Sequence, residues 1–399
     1  MTRLTGRLLL NGELALGSLE VEGERIASLE RSLDPNPEDE PGALAAMPII
    51  APGLIDLHIH GFGGCDPLDD LAGMGRALAR AGTTGFQPTL FPRDPHLLGE
   101  DARRVEQQTR AVAGTPGIAR PLGSHLEGPF LNPASAGAIP VPDLAIPSRE
   151  GLRAILGSPT GDGNGVARMT IAPELAGCPE LIAELVKGGV RASLGHSLAS
   201  AGEARIGFAY GASTVTHLFN AMGPLHHREV GLAGIALTRD HLAAEIIGDL
   251  VHVSKEAFEF ALAARGPSGL CLVSDALKGA GTGCDVFHWH GRDHVVHGGT
   301  AYYPREEQTQ GGADEGPGQL AGSASSQLEM VRKLTSEGVV GLADALTMAS
   351  TTPAQALGIA DEVGVLRGGA RADLIVLEPA SLELREVWIG GQRMSIQGA

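Results

Sequence analysis

Two histidines, His58 and His60, lie in the segment DLHIHG over residues 56–61. Side chains alternate along a β-strand, so both imidazoles would point to the same face of a strand at 55–58. Two imidazoles on one face can bind a single metal ion. An ordinary pair of core or surface histidines would give the same pattern, because short motifs recur by chance.

Four later segments repeat this arrangement, each with a polar side chain directly after an apolar strand. These are Glu127 in HLEGP, His196 in SLGHS, His217 in THLFN and Asp275 in LVSDA. Structural histidines have no reason to collect at strand ends. Imidazoles and a carboxylate suit Zn²⁺ or Fe²⁺ and leave a position for water, whose pKa the ion lowers. Asp275 could take the proton of that water and deliver it to a leaving amine, so the residues predict a metal-dependent hydrolase.

The elements that would carry these side chains alternate between strand and helix from Ile49 onward. Strands are predicted at 55–58, 83–88, 122–126, 169–172, 191–194, 214–217, 244–247 and 271–274, with helices at 69–81, 97–113, 325–336 and 342–349. About eight βα units predict an α/β fold, a (β/α)8 TIM barrel, whose carboxyl-end rim would gather the polar residues. An open parallel sheet is the alternative.

Strand-like segments also flank the barrel region at both ends. They lie at 8–10, 14–19 and 25–29, and again at 364–366, 373–377 and 386–389. We expect the two ends to pair into one small β-sandwich domain, with 1–50 and 353–399 as its halves and 51–352 as the barrel. Polar segments rich in Pro or Gly at 34–41 and 308–318 predict loops.

Composition excludes several classes of protein. The 399 residues carry a formal net charge of −17, which argues against a nucleic-acid partner. An anionic substrate would therefore need a few placed cations. No apolar stretch reaches the length of a membrane helix, and the N-terminus lacks the pattern of a signal peptide. The cysteines Cys65, Cys178, Cys271 and Cys284 form no CxxC pair, so we expect packed thiols in a cytoplasmic protein.

Eight segments together resemble one known family. They are PGLIDLHIHGFGG (52–64), HLEGPFLNPASAGA (125–138), LGHS (194–197), THLFNAM (216–222), HREVGLAG (227–234), VHV (251–253), LVSDA (272–276) and LAGSA (320–324). The chain resembles the N-acetylglucosamine-6-phosphate deacetylases of the amidohydrolase superfamily. HLEGPF and HLFNAM carry most of the specificity, since HxH marks only the superfamily. The resemblance implies hydrolysis of N-acetyl-D-glucosamine 6-phosphate to D-glucosamine 6-phosphate and acetate, in amino-sugar catabolism.

The resemblance also implies roles for individual residues. Glu127, His196 and His217 would bind the principal metal, and His58 and His60 a second one that only some members bind. One or two divalent ions per chain, Zn²⁺ or Fe²⁺, are therefore expected. Asp275 would be the catalytic acid and base. The implied substrate-binding residues are Ala138, Asn220, Ala221, Arg228, His252, Leu320, Ala321 and Gly322.

Within that substrate set, the family places different residues on different parts of the substrate. Arg228 and His252 would hold the phosphate, and the segment 320–322 would close on the acetyl group. The family completes its phosphate site across a dimer interface, so a homodimer is implied.

One position departs from the family. Many members have a histidine that contacts the substrate carbonyl where this chain has Ile139. Loss of such a donor can cost about 3 kcal/mol in a transition state. Our hypothesis is that a second metal bound by His58 and His60 polarises the carbonyl instead.

Other interpretations stay open from the sequence alone. One alternative is an amidohydrolase acting on a different N-acyl or cyclic amide, and another is a non-catalytic scaffold of the same fold. The histidines of 288–297 could form a further metal site, although alternation in a β-hairpin would produce the same spacing.

Overall fold

The structure is a computed structural model that describes residues 1–32, 45–157, 165–240, 242–304, 318–394 and 396. The loop predicted at 34–41 lies outside the described residues. So does the part of the predicted loop 308–318 that precedes Gly318, which begins a strand.

Strands and helices are numbered here in chain order within the described ranges. The strands are β1 (Thr2–Leu10), β2 (Glu13–Glu22), β3 (Arg25–Arg31), β4 (Ile49–Pro52), β5 (Leu54–Ile59), β6 (Thr83–Leu90), β7 (Arg120–Pro121), β8 (Ser124–Leu126), β9 (Val166–Ile171), β10 (Arg191–Leu194), β11 (Thr214–Val215), β12 (Ala243–Ile247), β13 (Leu270–Val273), β14 (Val286–Trp289), β15 (Arg292–His297), β16 (Thr300–Pro304), β17 (Gly318–Ser323), β18 (Leu374–Leu377), β19 (Leu384–Ile389) and β20 (Gln392–Met394). The helices are α1 (Leu71–Arg80), α2 (Pro95–Val112), α3 (Arg149–Leu156), α4 (Cys178–Lys187), α5 (Ala201–Ala209), α6 (Gly231–Thr238), α7 (Lys255–Arg265), α8 (Gln327–Ser336), α9 (Leu342–Ala349) and α10 (Thr351–Leu357). Short 3-10 helices lie at Pro133–Ser135, Val141–Asp143 and Pro267–Gly269.

The central sheet is a parallel barrel, as predicted. Its strands follow the order β5-β6-β8-β9-β10-β11-β12-β13, and β7 pairs with β6 beside this path. The ends close at the rim, where Asp275 N donates to His58 O and His60 N donates to Ala276 O, both at 2.9 Å. Every residue of β5 and β6 is buried, because the barrel interior lies on one side of a strand and the helices on the other. The predicted TIM barrel is therefore confirmed.

The two ends of the chain share a second sheet. Its order is β20-β19-β18-β4-β1-β2-β3, with β18 antiparallel and β1 parallel to β4. The sheet packs on its own apolar core, which includes Leu8, Ile26 and Trp388. At the open edge Ile26 N donates to Ala370 O at 2.9 Å. The predicted pairing of the ends is confirmed, while the domain boundaries stay predictions.

Two predicted strands need correction. Residues 364–366 form a bend and irregular backbone rather than a strand, because Gly364 adopts a φ of 73°, which breaks extended backbone. The strand predicted at 214–217 ends at Val215, because His217 leaves the ladder with a φ of 29°.

The structure contains a third sheet that was not predicted from the sequence. Strands β14 to β17 pair antiparallel in sequence order between β13 and α8. Its first hairpin contains the histidines of 288–297, and the register pairs His288 with Asp293 and His294 with Phe287, so these two histidines lie on opposite faces of the hairpin. Ser323 N donates to Asp275 O at 2.9 Å, which attaches β17 to the barrel rim.

All four cysteines are free thiols. Cys178 and Cys271 are buried as expected, Cys65 is half-buried, and Cys284 is exposed, so the packed-thiol prediction is wrong for Cys284. Among the described helices, none combines the length and the apolar character needed to cross a bilayer.

Candidate metal centre

The predicted ligands meet at the carboxyl-end rim of the barrel. His58 and His60 lie on β5, and Glu127, His196 and His217 follow β8, β10 and β11. None of the five is more than 4 % exposed. A rim formed by parallel strands brings these positions together although up to 159 residues separate them, from His58 to His217.

Three of the site residues adopt left-handed backbone immediately after their strands. The φ values of His196, His217 and Asp275 are 47°, 29° and 49°. This conformation is unfavourable for residues other than glycine, at about 1–3 kcal/mol each. Such strain is typical of functional sites, and here it accompanies side chains that belong to the two ligand clusters or lie beside them.

The first ligand cluster consists of Glu127, His196 and His217. Glu127 Oε1 lies 3.0 Å from His196 Nε2 and 3.1 Å from His217 Nε2, and the two nitrogens are 3.0 Å apart. The centre of a triangle with these sides is about 1.8 Å from each corner, slightly less than a zinc–ligand bond of about 2.0–2.2 Å. The three atoms could therefore hold one metal ion together.

Backbone carbonyls orient both imidazoles of this cluster. His196 Nδ1 lies 3.1 Å from Ser135 O, and His217 Nδ1 lies 3.1 Å from Asn220 O. A carbonyl only accepts hydrogen bonds, so each Nδ1 carries the proton and each Nε2 presents a lone pair to the cluster. Metal-binding histidines are commonly held in this way.

The second ligand cluster consists of His58, His60 and the same Glu127, with Asp275 beside it. His58 Nε2 lies 3.3 Å from His60 Nε2 and 3.3 Å from Glu127 Oε1, and His60 Nε2 lies 3.2 Å from Glu127 Oε2. Asp275 Oδ1 is 3.5 Å from both histidine nitrogens. Glu127 thus offers oxygens to both clusters.

A buried ion pair beneath the clusters was missed by the sequence analysis. Glu245 Oε2 accepts hydrogen bonds from His58 Nδ1 at 3.1 Å and His217 N at 3.2 Å. Glu245 Oε1 accepts from Arg168, which also donates to Leu57 O. The sequence feature that could have revealed this pair is a charged residue inside each of two apolar strands, β9 and β12.

Mutual contacts shift the pKa values of these buried groups. Burial raises the pKa of Glu127, but the charge of His58 and the contacts with His196 and His217 outweigh it and hold that pKa well below its usual range. Burial lowers the pKa of His58, yet the carboxylates of Asp275, Glu127 and Glu245 raise it well above its ordinary value. The cluster therefore favours a cation among its carboxylates.

Several predicted substrate residues border the clusters. Ala221 O accepts hydrogen bonds from Ser135 Oγ at 2.6 Å and Ser197 N at 3.0 Å, so the segment after β11 lies against the segment carrying Ala138. Strand β17 brings Leu320, Ala321 and Gly322 close, and Gln319 Nε2 donates to Gly137 O at 3.2 Å. Asn220 O is the acceptor for His217 described above.

The two predicted phosphate ligands lie outside the described ligand clusters. His252 Nδ1 donates to Asp249 Oδ2 at 2.7 Å. Burial lowers the pKa of His252, but this hydrogen bond and the charge of Asp249 raise it above its ordinary value, which favours a cationic imidazole. Arg228 is exposed, and its Nη1 lies 2.9 Å from His227 Nε2. That Arg228 and His252 bind the phosphate together stays a prediction.

A cavity of about 350 Å³ opens beside the second cluster. His60 lies in its wall, with its ring stacked on Phe91 at a centroid distance of 3.8 Å. Ala138, Ile139 and Ala321 also line this space, which we call the His60 cavity. Ile139 is 7 % exposed and brings only an aliphatic surface to the wall.

Comparison with known proteins gives consistent matches. A sequence profile of the amidohydrolase family matches residues 49–394. The N-acetylglucosamine-6-phosphate deacetylase of Danio rerio is 35 % identical over 359 residues, covering 87 % of this chain and 84 % of that protein. The N-acetylgalactosamine-6-phosphate deacetylase of Escherichia coli O157:H7 is 32 % identical over 354 residues, covering 87 % and 88 %. A variant of the Mycobacterium smegmatis N-acetyl-D-glucosamine-6-phosphate deacetylase, solved with N-acetyl-D-glucosamine-6-phosphate, has a TM-score of 0.82, 30 % identity and 98 % coverage of both chains.

Proposed function

The chain belongs to the amidohydrolase family, and from this premise we propose that it hydrolyses N-acetyl-D-glucosamine 6-phosphate to D-glucosamine 6-phosphate and acetate. The observation that carries the proposal is the pair of ligand clusters sharing Glu127, with Asp275 at 3.5 Å from His58 and His60. A non-catalytic scaffold would have no use for this arrangement. A different N-acyl or cyclic amide is less well supported, because relatives that match most of the chain act on acetylated sugar phosphates.

The donor set suits Zn²⁺ or Fe²⁺, with the first cluster as the principal site and the second as a further site. A bound ion would supply an activated water and would polarise the scissile carbonyl. Glu127, His196 and His217 would hold it in place, and the carbonyls of Ser135 and Asn220 fix the two imidazoles.

Asp275 moves the proton in this proposal. Its Oδ1 faces the ligand nitrogens, so it can accept a proton from the attacking water and then deliver it to the leaving nitrogen of the sugar. Ser323 N and β17 hold the Asp275 backbone at the rim. Ile139 offers no hydrogen-bond donor to the carbonyl, and we keep the hypothesis that the metal site of His58 and His60 compensates for it.

The phosphate group of the substrate needs a cationic site. We propose that Arg228 and His252 hold the phosphate, and that a second subunit completes this site in a homodimer. The raised pKa of His252 supports the role, since a cationic imidazole attracts a phosphate. A cytoplasmic location accords with the free thiols, two of which are not fully buried.

The test combines metal analysis with kinetics on four substrates. We would measure bound metal and acetate release for gluco- and galacto-configured N-acetyl sugars, each with and without the 6-phosphate. The proposal expects one or two divalent ions per chain and the highest kcat/KM for N-acetyl-D-glucosamine 6-phosphate. Equal rates on the unphosphorylated sugar would contradict the phosphate site, and higher rates on the galacto compound would reassign the sugar.

A further inference from the structure

The buried pair of Arg168 and Glu245 lies beneath the two ligand clusters and belongs to neither of them. Both side chains are 1 % exposed, and they contact each other inside the barrel. Burial of an ion pair adds little stability by itself, because removing two charges from water costs about as much free energy as their attraction provides. The contacts that the pair makes with the ligand clusters therefore indicate a more specific role than stability.

Arg168 fills a position that an ion could otherwise take. Glu245, His58 and His125 come close enough together to hold a cation. Arg168 donates to Glu245 Oε1, and its Nη2 lies 3.0 Å from His125 Nδ1. A guanidinium only donates hydrogen bonds, so His125 Nδ1 accepts, and His125 Nε2 donates to Thr170 Oγ1 at 2.8 Å. A side-chain cation thus occupies this third group, and Glu245 Oε2 points to the ligand clusters.

Glu245 fixes the orientation and the tautomer of His58. Its Oε2 accepts a hydrogen bond from His58 Nδ1 at 3.1 Å, while its Oε1 is held by Arg168. A carboxylate only accepts hydrogen bonds, so the proton of the neutral imidazole is on Nδ1. The lone pair of His58 Nε2 then faces Glu127 Oε1 and His60 Nε2, each at 3.3 Å. Carboxylates commonly orient metal-binding histidines in this way.

The same pair also contacts the backbone next to the ligands. Glu245 Oε2 accepts a hydrogen bond from His217 N at 3.2 Å, and Arg168 donates to the carbonyl of Leu57, which precedes His58. The pair thus contacts both the side chain and the flanking backbone of His58, but only the backbone of His217. The His217 imidazole is oriented separately by a carbonyl of its own loop. The first cluster therefore depends less on the pair than the second cluster does.

His60 lacks comparable support. Its Nδ1 is buried and has no hydrogen-bond partner among the described residues. The ring is stacked on Phe91, with the centroids 3.8 Å apart and an angle of 5° between the planes. Stacking defines the plane of a ring but not which nitrogen carries the proton. His58 is therefore the histidine of the second cluster whose lone pair is fixed by a hydrogen bond.

We propose that Glu245 is a positioning residue of the second ligand cluster, and that Arg168 holds Glu245 in place, so that this pair determines whether a second divalent ion binds. The inference rests on the proposed function for the presence of that ion. Glu245 acts through His58 rather than as a ligand of its own. Its test is therefore ion binding, which is measured independently of acetate release.

The substitution Glu245→Gln reverses the hydrogen bond at His58. An amide presents an acceptor on one side and a donor on the other. The buried guanidinium of Arg168 retains the oxygen, because a buried charge without an acceptor is the costlier arrangement. The NH2 group then faces His58 Nδ1, which can accept only if its proton moves to Nε2. The lone pair of Nε2 is thereby lost to the second ion, which should bind at least tenfold more weakly.

Equilibrium dialysis of the full chain against graded concentrations of Zn²⁺ measures the binding of each ion. The wild type should bind two ions per chain. Glu245→Gln should bind the first ion within about threefold of the wild-type Kd and the second ion at least tenfold more weakly. Glu245→Asp is a second variant that keeps the negative charge for Arg168. Its carboxylate is set back by about 1.5 Å, so it should also lose the contact with His58 and bind the second ion weakly.

Two controls separate positioning from a general loosening of the fold. Glu259→Gln makes the same chemical change at an exposed position on α7 and should bind both ions normally. Leu8→Ala removes a fully buried side chain from the separate core of the sheet formed by the chain ends. This change destabilises the protein by an amount comparable to breaking a buried ion pair. Leu8→Ala should nevertheless bind both ions with wild-type affinity.

Three results with the variants would overturn the inference. The first is wild-type affinity for the second ion in Glu245→Gln, or in Glu245→Asp if Glu245→Gln does not fold. The others are equal weakening of both ions and selective loss of the second ion in Leu8→Ala. A wild type that binds only one ion would also overturn it, and acetate release by that protein would leave the proposed function intact. A wild type that binds two ions without releasing acetate would instead remove the proposed function and keep the positioning role.

Discussion

The ion pair between Arg168 and Glu245 gives a prediction whose size can be worked out from the structure. Both side chains are 1 % exposed, and Glu245 also accepts hydrogen bonds from His58 Nδ1 and His217 N. In Glu245→Gln the shape is retained but the negative charge is lost. The amide group must then face one of the donors, and Arg168 stays buried without a carboxylate partner.

Two arguments give a similar magnitude for this loss. Removing one partner of a buried ion pair destabilises proteins by about 3–5 kcal/mol. Burial raises the pKa of Glu245, but Arg168 and His58 outweigh it and lower that pKa from 4.5 to about 2. That shift corresponds to about 3 kcal/mol of stabilisation at neutral pH. We therefore expect Glu245→Gln to lower the free energy of unfolding by about 3 kcal/mol at pH 7.

The pH dependence follows from the direction of the pKa shift. A carboxyl group whose pKa is lower in the folded protein stabilises it fully above the unfolded value of about 4.5. That stabilisation disappears as the pH falls toward about 2. The difference in unfolding free energy between wild type and Glu245→Gln should therefore be present at pH 7 and shrink below about pH 5. Urea unfolding of the metal-free proteins, followed by circular dichroism at several pH values, measures this difference.

A matched substitution controls for the chemical change itself. Glu259 is exposed on α7, so Glu259→Gln should shift the unfolding free energy by less than about 0.5 kcal/mol. An equally small shift for Glu245→Gln at pH 7 would refute the argument from burial. A difference that grew as the pH fell would refute the assigned direction of the pKa shift.

Three further predictions concern the proposed reaction. Asp275→Asn should lower kcat by about 10²–10⁴-fold while the principal metal stays bound, and normal kcat with bound metal would exclude Asp275 as the proton carrier. The double variant His58→Ala, His60→Ala should lose one ion per chain and much of the activity. Full activity with one metal per chain would show that Ile139 needs no compensation from a second site. Arg228→Ala should raise KM for the phosphorylated sugar with little change in kcat, and an unchanged preference for phosphate would remove Arg228 from that site.

Much of the fold and of the first ligand cluster could be predicted from the sequence. Each barrel strand is a short apolar run followed by a loop, and this local pattern is visible without any partner strand. The polar residues Glu127, His196, His217 and Asp275 follow such runs directly. Since parallel strands in a barrel end on one rim, position along the chain was enough to predict that these side chains meet.

Other features depend on pairings between distant parts of the chain. Arg168 and Glu245 each look like a misplaced charge in an apolar strand, and only their contact across 77 positions explains why both can be buried. The sheet of β14 to β17 has mixed exposure, so its strands lack the strong alternation that identifies a half-buried strand.

The sequence alone thus determined which residues end on the rim, because strand periodicity and strand ends are local properties. The tertiary structure decided which ligand cluster each of those residues joins and what space lies beside the clusters. Glu127 reaches both ligand clusters, and Ile139 and Ala321 enclose a cavity beside His60. Bridging and enclosure depend on distances between side chains from different strands, and these distances exist only once the barrel has closed.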